Sequence, residues 1–209
     1  MPHSEKNVYI VEDNDSVRKA LTNTLKSAGY NVNSFSTPNS FLSISDINRP
    51  AVIILDMLLP EMSGISLQLE ILKKYQSIPI IFISGESAVD QAIFAMKHGA
   101  IDFLIKPFET PDLIPVIEKG LAIDLENINQ EKQQELLSQK LNTLTNRELE
   151  VYQLLLKGFN NQEIMSELNL ALPTTKQYKI QVMRKLKIKS ISELIDFNNG
   201  KIQLSDNQE

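Results

Sequence analysis

The stretch AVIILD, residues 51–56, is a run of apolar residues that ends in an aspartate. Short runs rich in β-branched residues are typical of strands buried on both faces of a parallel sheet. Three other runs have the same form: NVYIV (7–11) before Glu12 and Asp13, PIIFI (79–83) before Ser84, and IDFLI (101–105) before Lys106 and Pro107. Because open α/β sheets form their sites at the carboxyl ends of the strands, we expect these polar side chains to converge on one crevice.

Helix-like segments separate these runs, which is the pattern of a parallel sheet covered on both faces. The segment VNSF (32–35) predicts a further strand. Apolar residues at helical spacing predict helices over 65–75 and 87–98, and Thr-Pro pairs at 37–38 and 110–111 mark the starts of two others. Five such units in about 115 residues predict a single α/β domain.

The composition excludes several kinds of site. The 209 residues suffice for two domains and contain no cysteine and only two histidines, which excludes thiolate sites and argues against imidazole catalysis. The net charge of -5 argues against a wholly basic protein, although residues 173–189 carry six basic side chains and no acid. No apolar run approaches the roughly 20 residues of a membrane span, and the first residues have no signal-peptide pattern. We therefore expect a soluble, cytoplasmic protein with no membrane partner.

The polar strand ends suit phosphoryl chemistry. Mg²⁺, or Mn²⁺, prefers oxygen ligands; Asp13 and Asp56 can each supply one, and Glu12 can hold a coordinated water. Asp56 can then attack a phosphoryl phosphorus, while Lys106 and Ser84 offer a positive charge and a hydrogen bond to phosphoryl oxygens. Each residue alone has a simpler interpretation, such as a helix cap at Asp13 or a solvated turn at Lys106. Their joint occurrence favours the functional interpretation.

Residues 7–121 resemble the receiver domain of two-component response regulators. The resemblance is carried by Glu12-Asp13, DMLLP (56–60) followed by Gly64, Ser84-Gly85 and IDFLIKPF (101–108). It implies a flavodoxin-like (βα)5 fold with a five-stranded parallel sheet in the order 2-1-3-4-5. It also implies that a sensor histidine kinase phosphorylates the protein on Asp56. It also implies a metal contact from the backbone carbonyl of Leu58 and a cis bond between Lys106 and Pro107.

The same resemblance implies a conformational switch. Phosphoryl contact draws Ser84 inward, Phe103 fills the vacated space, and the face of the fourth helix, fifth strand and fifth helix becomes competent to form a homodimer. The alternative for Phe103 is simple core packing. Glu86 stands where relatives often carry histidine, so its carboxylate is expected to alter the lifetime of the aspartyl phosphate.

A second, helical part follows the α/β domain. Apolar residues at 117, 121, 125 and 128 predict that the last helix runs on as a long connecting helix, with a coiled coil or a flexible polar tether as alternatives. Capping boxes are predicted at Thr145/Glu148 and at Ser190/Glu193. Between them, helices are predicted to about Leu156, over 161–168 and over 173–186. The middle pair can form a helix-turn-helix.

The helix over 173–186 has two faces. Tyr178, Val182 and Leu186 form a core stripe, and the opposite stripe carries donors suited to base edges and phosphates. That stripe consists of Lys176, Gln177, Ile180, Gln181 and Arg184, flanked by Lys179, Lys185, Lys187 and Lys189. A charged helix face is more often merely solvated. No Ser precedes the helix as an N-cap, so we expect its start to be shifted or frayed.

Residues 144 to about 198 are similar to the LuxR-type helix-turn-helix output domain of NarL/FixJ regulators. The motifs are LTNRELEV (144–151), GFNNQEI (158–164) and VMRKL (182–186). The similarity makes 173–186 the recognition helix, with Lys176, Gln177 and Ile180 facing the groove of promoter DNA. RNA polymerase is a further candidate partner.

These observations predict a transcriptional response regulator rather than a multiple-turnover enzyme. We expect a receiver domain over 1–121, a helical linker over 122–143 and a DNA-binding domain over 144–209, with phosphorylation of Asp56 favouring dimerisation and promoter binding. The alternatives are a phosphorylation-gated protein-interaction relay and a small Asp-dependent phosphohydrolase. Leu58 stands where the phosphohydrolase would need a second acid.

Overall fold

The computed structural model describes residues 6–75, 77–85 and 89–200, which fall into two compact units divided between Ile128 and Asn129. In the first unit the strands are β1 (Asn7–Val11), β2 (Asn31–Phe35), β3 (Ala51–Asp56), β4 (Ile80–Ser84) and β5 (Asp102–Ile105). The helices are α1 (Asp15–Ser27), α2 (Pro38–Leu42), α3 (Gly64–Tyr75), α4 (Val89–Lys97) and α5 (Thr110–Leu141). Residues 87 and 88 of the predicted helix 87–98 lie outside the described residues.

Across the described part of the chain, five parallel strands form one sheet in the order β2-β1-β3-β4-β5. This confirms the flavodoxin-like order. The continuous apolar run of β3 is explained by burial on both faces. Ile53 and Leu55 pack in a core with α2, α3 and α4, whereas Val52 and Ile54 pack in a second core with α1 and α5.

Helix α5 continues without interruption to Leu141, which confirms the predicted extension of the last helix. Gly120 allows it to approach the sheet, because a Cβ there would lie 2.9 Å from side-chain atoms of Ile101 and Val52. One turn further on, the fully buried Asp124 pairs with Arg49 at 2.7 Å and accepts a hydrogen bond from the backbone of Ala51 at 2.7 Å. The helix is therefore fixed to the sheet as far as its fourth turn by packing and by charge.

The Lys106–Pro107 peptide bond is cis, as the resemblance implies. A second cis bond, Arg49–Pro50, was not expected from the sequence.

The second unit contains α6 (Asn146–Leu156), α7 (Asn161–Leu168), α8 (Leu172–Leu186) and α9 (Ile191–Asn198). Its core is built around Val151, Leu155, Ile164, Val182 and Leu186, with Tyr178 partly buried against it. Asn169, between α7 and α8, has a φ of 52°, a left-handed conformation that asparagine tolerates better than most residues. This turn joins the two middle helices in the predicted helix-turn-helix.

The helix caps agree with the sequence in part. Thr145 and Glu148 form the predicted capping box at the start of α6. The box predicted at Ser190 is wrong in one half: Ser190 accepts from the Glu193 backbone, but the Glu193 carboxylate accepts from the amide of Lys189 instead. None of the helices in the described residues has the length and hydropathy that a membrane span requires.

Candidate functional site

The carboxyl ends of β1 and β3 bring three acids together. Glu12, Asp13 and Asp56 each present a carboxylate oxygen within 4.8 Å of the others. Glu12 is 1% exposed and Asp56 is 6% exposed, whereas Asp13 is open to solvent. Three carboxylates at this separation repel one another, so the cluster favours a cation at its centre.

Lys106, at the end of β5, supplies one positive charge to this cluster. Its Nζ donates to Glu12 Oε2 at 2.7 Å and to Asp56 Oδ2 at 2.7 Å. Burial alone would lower the pKa of the Lys106 ammonium, but the hydrogen bonds and charges of Asp56 and Glu12 outweigh it and raise that pKa. Lys106 therefore stays cationic at neutral pH.

The pKa of the Glu12 carboxyl is also raised, which for an acid favours the neutral form. Burial raises its pKa, and the nearby charge of Asp56 adds to the effect, although the hydrogen bond from Lys106 lowers it. Burial therefore makes the charged form of the Glu12 carboxyl costly. A further positive charge near Glu12 would relieve that cost.

Ser84, at the end of β4, lies beside this cluster in the sheet. Its neighbour Ile83 is in register with Asp56, and the amide of Met57 donates to the Ile83 carbonyl. Its side chain is 1% exposed, yet its hydroxyl has no hydrogen-bond partner among the residues that the structure describes. A buried hydroxyl without a partner costs roughly 1–3 kcal/mol. Such a group is suited to an incoming acceptor such as a phosphoryl oxygen.

Phe103 lies on the neighbouring strand, in register with Phe82. It is partly buried and packs against the core that also contains Phe82. Because side chains two residues apart on a strand share a face, Ser84 and Phe103 lie on the same face of the sheet. This arrangement is compatible with both the predicted switch and the simpler packing role.

The loop after Asp56 holds its carboxylate in place. The amide of Leu58 donates to Asp56 Oδ1 at 3.0 Å, and the side chain of Leu58 is 58% exposed. Gly64 lets α3 begin close by, because a Cβ there would lie 2.5 Å from the Asp56 carbonyl oxygen and 2.9 Å from Met57 Cα. The predicted metal contact of the Leu58 carbonyl stays a prediction.

Two supporting residues escaped the sequence analysis. Asn14, not Asp13, caps α1, and its side chain accepts from two backbone amides. The cap interpretation of Asp13 is therefore wrong, and its carboxylate is free for another role.

Arg18 donates to the carbonyls of Glu12 at 2.7 Å and Asp13 at 3.2 Å, and it pairs with Asp15. The sequence signal that could have identified Arg18 is a basic residue near the start of the helix that follows the acid pair. Glu86 lies outside the described residues.

The second candidate site is the exposed face of α8. Lys176, Gln177, Ile180 and Arg184 are exposed, Lys179 and Gln181 are partly buried, and Lys187 and Lys189 are exposed beyond the helix. Arg184 donates to Gln181 at 2.6 Å. A groove of about 490 Å³ lies along this face, lined by residues that include Lys176, Lys179, Ile180, Met183 and Lys189. The predicted cationic face is therefore present, with an apolar strip inside it.

Lys185 does not belong to that face, contrary to the prediction. Its Nζ donates to the buried Glu148 at 2.6 Å and to the Thr143 carbonyl at 3.0 Å. Burial alone would raise the pKa of the Glu148 carboxyl, but the hydrogen bonds from Lys185 and Thr145 hold that pKa below its usual range.

The start of α8 has no side-chain N-cap, as expected, because Ala171 offers no side-chain hydrogen bond. The helix begins at Leu172, a residue earlier than predicted.

Comparison with known families and proteins identifies both parts of the chain. The response regulator receiver domain family matches residues 8–118, and the luxR family of bacterial regulatory proteins matches residues 142–198. The response regulator protein TodT of Pseudomonas putida is 35% identical over 190 residues, covering 90% of this chain and 83% of TodT. The transcriptional regulatory protein FixJ of Rhizobium meliloti is 32% identical over 194 residues, covering 90% of this chain and 92% of FixJ.

Solved structures give the same result. The response regulator StyR superimposes with a TM-score of 0.76 at 37% identity, over 92% of this chain and 98% of StyR. Full-length FixJ from B. japonicum superimposes with a TM-score of 0.57 at 29% identity, over 95% of this chain and 98% of FixJ. The chain therefore belongs to the two-component response regulators with a LuxR-type helix-turn-helix output, and it is a transcriptional regulator of that class.

Proposed function

We propose that a sensor histidine kinase phosphorylates this regulator on Asp56, and that the phosphorylated protein dimerises and binds promoter DNA in the cytoplasm. The observation that carries the proposal is the convergence of three carboxylates within 4.8 Å of one another with Lys106 bonded to two of them. In the transfer step an Asp56 oxygen attacks the phosphorus, the bond from phosphorus to the kinase histidine breaks, and an acyl phosphate forms.

The surrounding residues have separate roles in this proposal. Mg²⁺, or Mn²⁺, held by Glu12, Asp13, Asp56 and the Leu58 carbonyl, supplies positive charge to the incoming phosphoryl group. Lys106 offers its ammonium to a phosphoryl oxygen, and Ser84 donates its hydroxyl to another. The cationic state of Lys106 and the unpartnered hydroxyl of Ser84 support these roles. Movement of Ser84 and Phe103 would carry the change to the dimerisation face.

DNA contact is assigned to the exposed face of α8 and the residues after it. Lys176, Gln177, Ile180, Gln181 and Arg184 would face the major groove, with Lys179, Lys187 and Lys189 on phosphates. Dimerisation places two such helices on adjacent half-sites, which raises affinity through avidity. We assign residues 1–121 to the receiver, 122–143 to the linker and 144–209 to the DNA-binding domain, in line with the family matches over 8–118 and 142–198. RNA polymerase is a candidate partner at the promoter.

A small phosphodonor with Mg²⁺ tests the proposal on the full chain. Mass spectrometry should find one added phosphoryl group on the wild type and on Asp46→Asn, an exposed acid outside the cluster, but none on Asp56→Asn. Light scattering and titration of promoter DNA should show a larger mass and tighter binding only for the phosphorylated proteins. Phosphorylation of Asp56→Asn, or an unchanged mass and affinity after phosphorylation, would contradict the proposal. Multiple-turnover phosphate release from small phosphoesters would indicate a phosphohydrolase instead.

A further inference from the structure

Ile180 stands out on the face of α8 that the proposed function assigns to DNA. Its side chain is 64% exposed, the largest value for a large apolar residue in the part of the chain that the structure describes. The core of the unit does not require it, since Val182 and Leu186 fill the buried stripe of the helix. An isoleucine at an exposed helical position gains nothing from burial and is a mediocre helix former.

The neighbours of Ile180 are cationic. Lys176 and Arg184 lie one turn before and one turn after it on the same face. The groove described above is lined by Ile180 and Met183 together with Lys176, Lys179 and Lys189. Residues 173–189 contain no acid. This strip of apolar surface with a cationic rim is complementary to a polyanion that carries an apolar group between its charges.

Duplex DNA has such a group in its major groove. Thymine presents a C5-methyl there, whereas the other base edges present hydrogen-bond donors and acceptors. Isoleucine cannot donate or accept a hydrogen bond, so a cytosine amino group or a guanine carbonyl placed against it would lose water without a replacement partner. The lysines and Arg184 can at the same time bind the flanking phosphates or guanines.

We propose that Ile180 determines sequence specificity by contacting a thymine methyl group in each half-site. The proposal rests on the DNA-binding function proposed above. Lys179 and Lys189 position the helix through phosphates, and Ile180 discriminates between bases. Burial of one methyl group corresponds to a roughly fourfold change in Kd.

The test uses the full chain treated with a small phosphodonor. Binding sites are first selected from a random duplex pool, and each thymine of the selected site is then replaced singly by deoxyuridine, which lacks only the methyl group. We expect one position per half-site at which the replacement weakens wild-type binding by about fourfold. Ile180→Ala should bind the thymine and uracil duplexes equally at that position, whereas Ile180→Val should keep part of the difference.

Lys189→Ala is the matched control, because it removes an exposed cation that lines the same groove and is assigned to a phosphate, without removing the apolar contact. It should weaken binding to both duplexes alike, reduce the salt dependence of binding and keep the difference between thymine and uracil. The inference is overturned if no thymine is sensitive to loss of its methyl, or if Ile180→Ala discriminates as well as the wild type. If no duplex shows salt-dependent binding, the DNA-binding function itself fails, so the two failures are distinguishable.

Discussion

Asp13→Asn is expected to stabilise the first unit when divalent cations are removed, and to be less stable than the wild type when Mg²⁺ is present. Without a cation, the Asp13 carboxylate lies within 4.8 Å of those of Glu12 and Asp56, and Lys106 bonds to the other two acids rather than to Asp13. Two unit charges at that distance repel by about 3.5 kcal/mol at an effective dielectric constant of 20 and by about 0.9 kcal/mol in bulk water. Because Asp13 is exposed, we expect a gain near the lower value, about 1 kcal/mol.

Mg²⁺ should reverse the order of the two proteins. A ligand that binds only the folded state at a hundred times its Kd stabilises it by about 2.7 kcal/mol. Asp13→Asn replaces a charged oxygen of the proposed metal site with a neutral amide, so it should lose most of that gain. The two effects together predict a crossing of stabilities between chelator and excess Mg²⁺.

Hydrogen exchange of the backbone amides of β1 and β3, followed by mass spectrometry, is the suitable assay. It reports the first unit separately, whereas a single melting temperature is not well defined for a chain of two units. Glu70→Gln is the control, because it removes the same charge from a partly exposed position on α3, outside the cluster, where Glu70 pairs with Lys73. The reasoning is refuted if Asp13→Asn exchanges faster than the wild type in chelator, or if Mg²⁺ protects both proteins equally.

Three further predictions concern buried polar groups. Ser84→Ala should raise the free energy of unfolding of the first unit by about 1 kcal/mol, because it removes a buried hydroxyl without a partner among the described residues; faster exchange of β4 amides would contradict this. Asp124→Ala should cost about 3–5 kcal/mol, since it removes the carboxylate that pairs with Arg49 and accepts from the Ala51 amide, and Asp124→Asn should cost less in a urea titration followed by hydrogen exchange. Because the pKa of Glu148 is lowered in the folded state, the charged Glu148 carboxylate stabilises the second unit at pH values above its ordinary pKa of 4.5. This stabilisation is lost as the pH falls through the folded-state pKa. Circular dichroism during acid titration should therefore show a weaker pH dependence for Glu148→Gln.

The acid cluster was predictable from the sequence because of how parallel sheets are built. Once four apolar runs are identified as neighbouring parallel strands, the residues that follow them must lie at one edge of the sheet. Glu12, Asp56 and Lys106 meet there although up to 94 positions separate them along the chain. Only the strand identity and the common direction of the strands were needed for this conclusion.

Contacts that depend on side-chain geometry were not predictable in this way. Lys185 has the spacing of a surface cation, but it pairs with Glu148, 37 residues earlier, because two helices bring the residues together. Ser190 and Glu193 have the spacing of a capping box, yet the Glu193 carboxylate accepts from the amide of Lys189 instead. Both errors arise because a sequence pattern indicates which kinds of partner a side chain can bind, whereas the fold determines which of those partners lies within reach.

Three residues at the proposed sites break the usual folding rules, and this supports the assignments. Glu12 is a buried carboxylate with a raised pKa, Ser84 is a buried hydroxyl without a described partner, and Ile180 is an exposed apolar side chain. None of these improves stability, so stability alone does not account for them. If they are retained for function, Ser84→Ala should give a more stable protein in chelator that responds less to a phosphodonor. A variant that gained stability and kept its full response would remove the functional explanation for that residue.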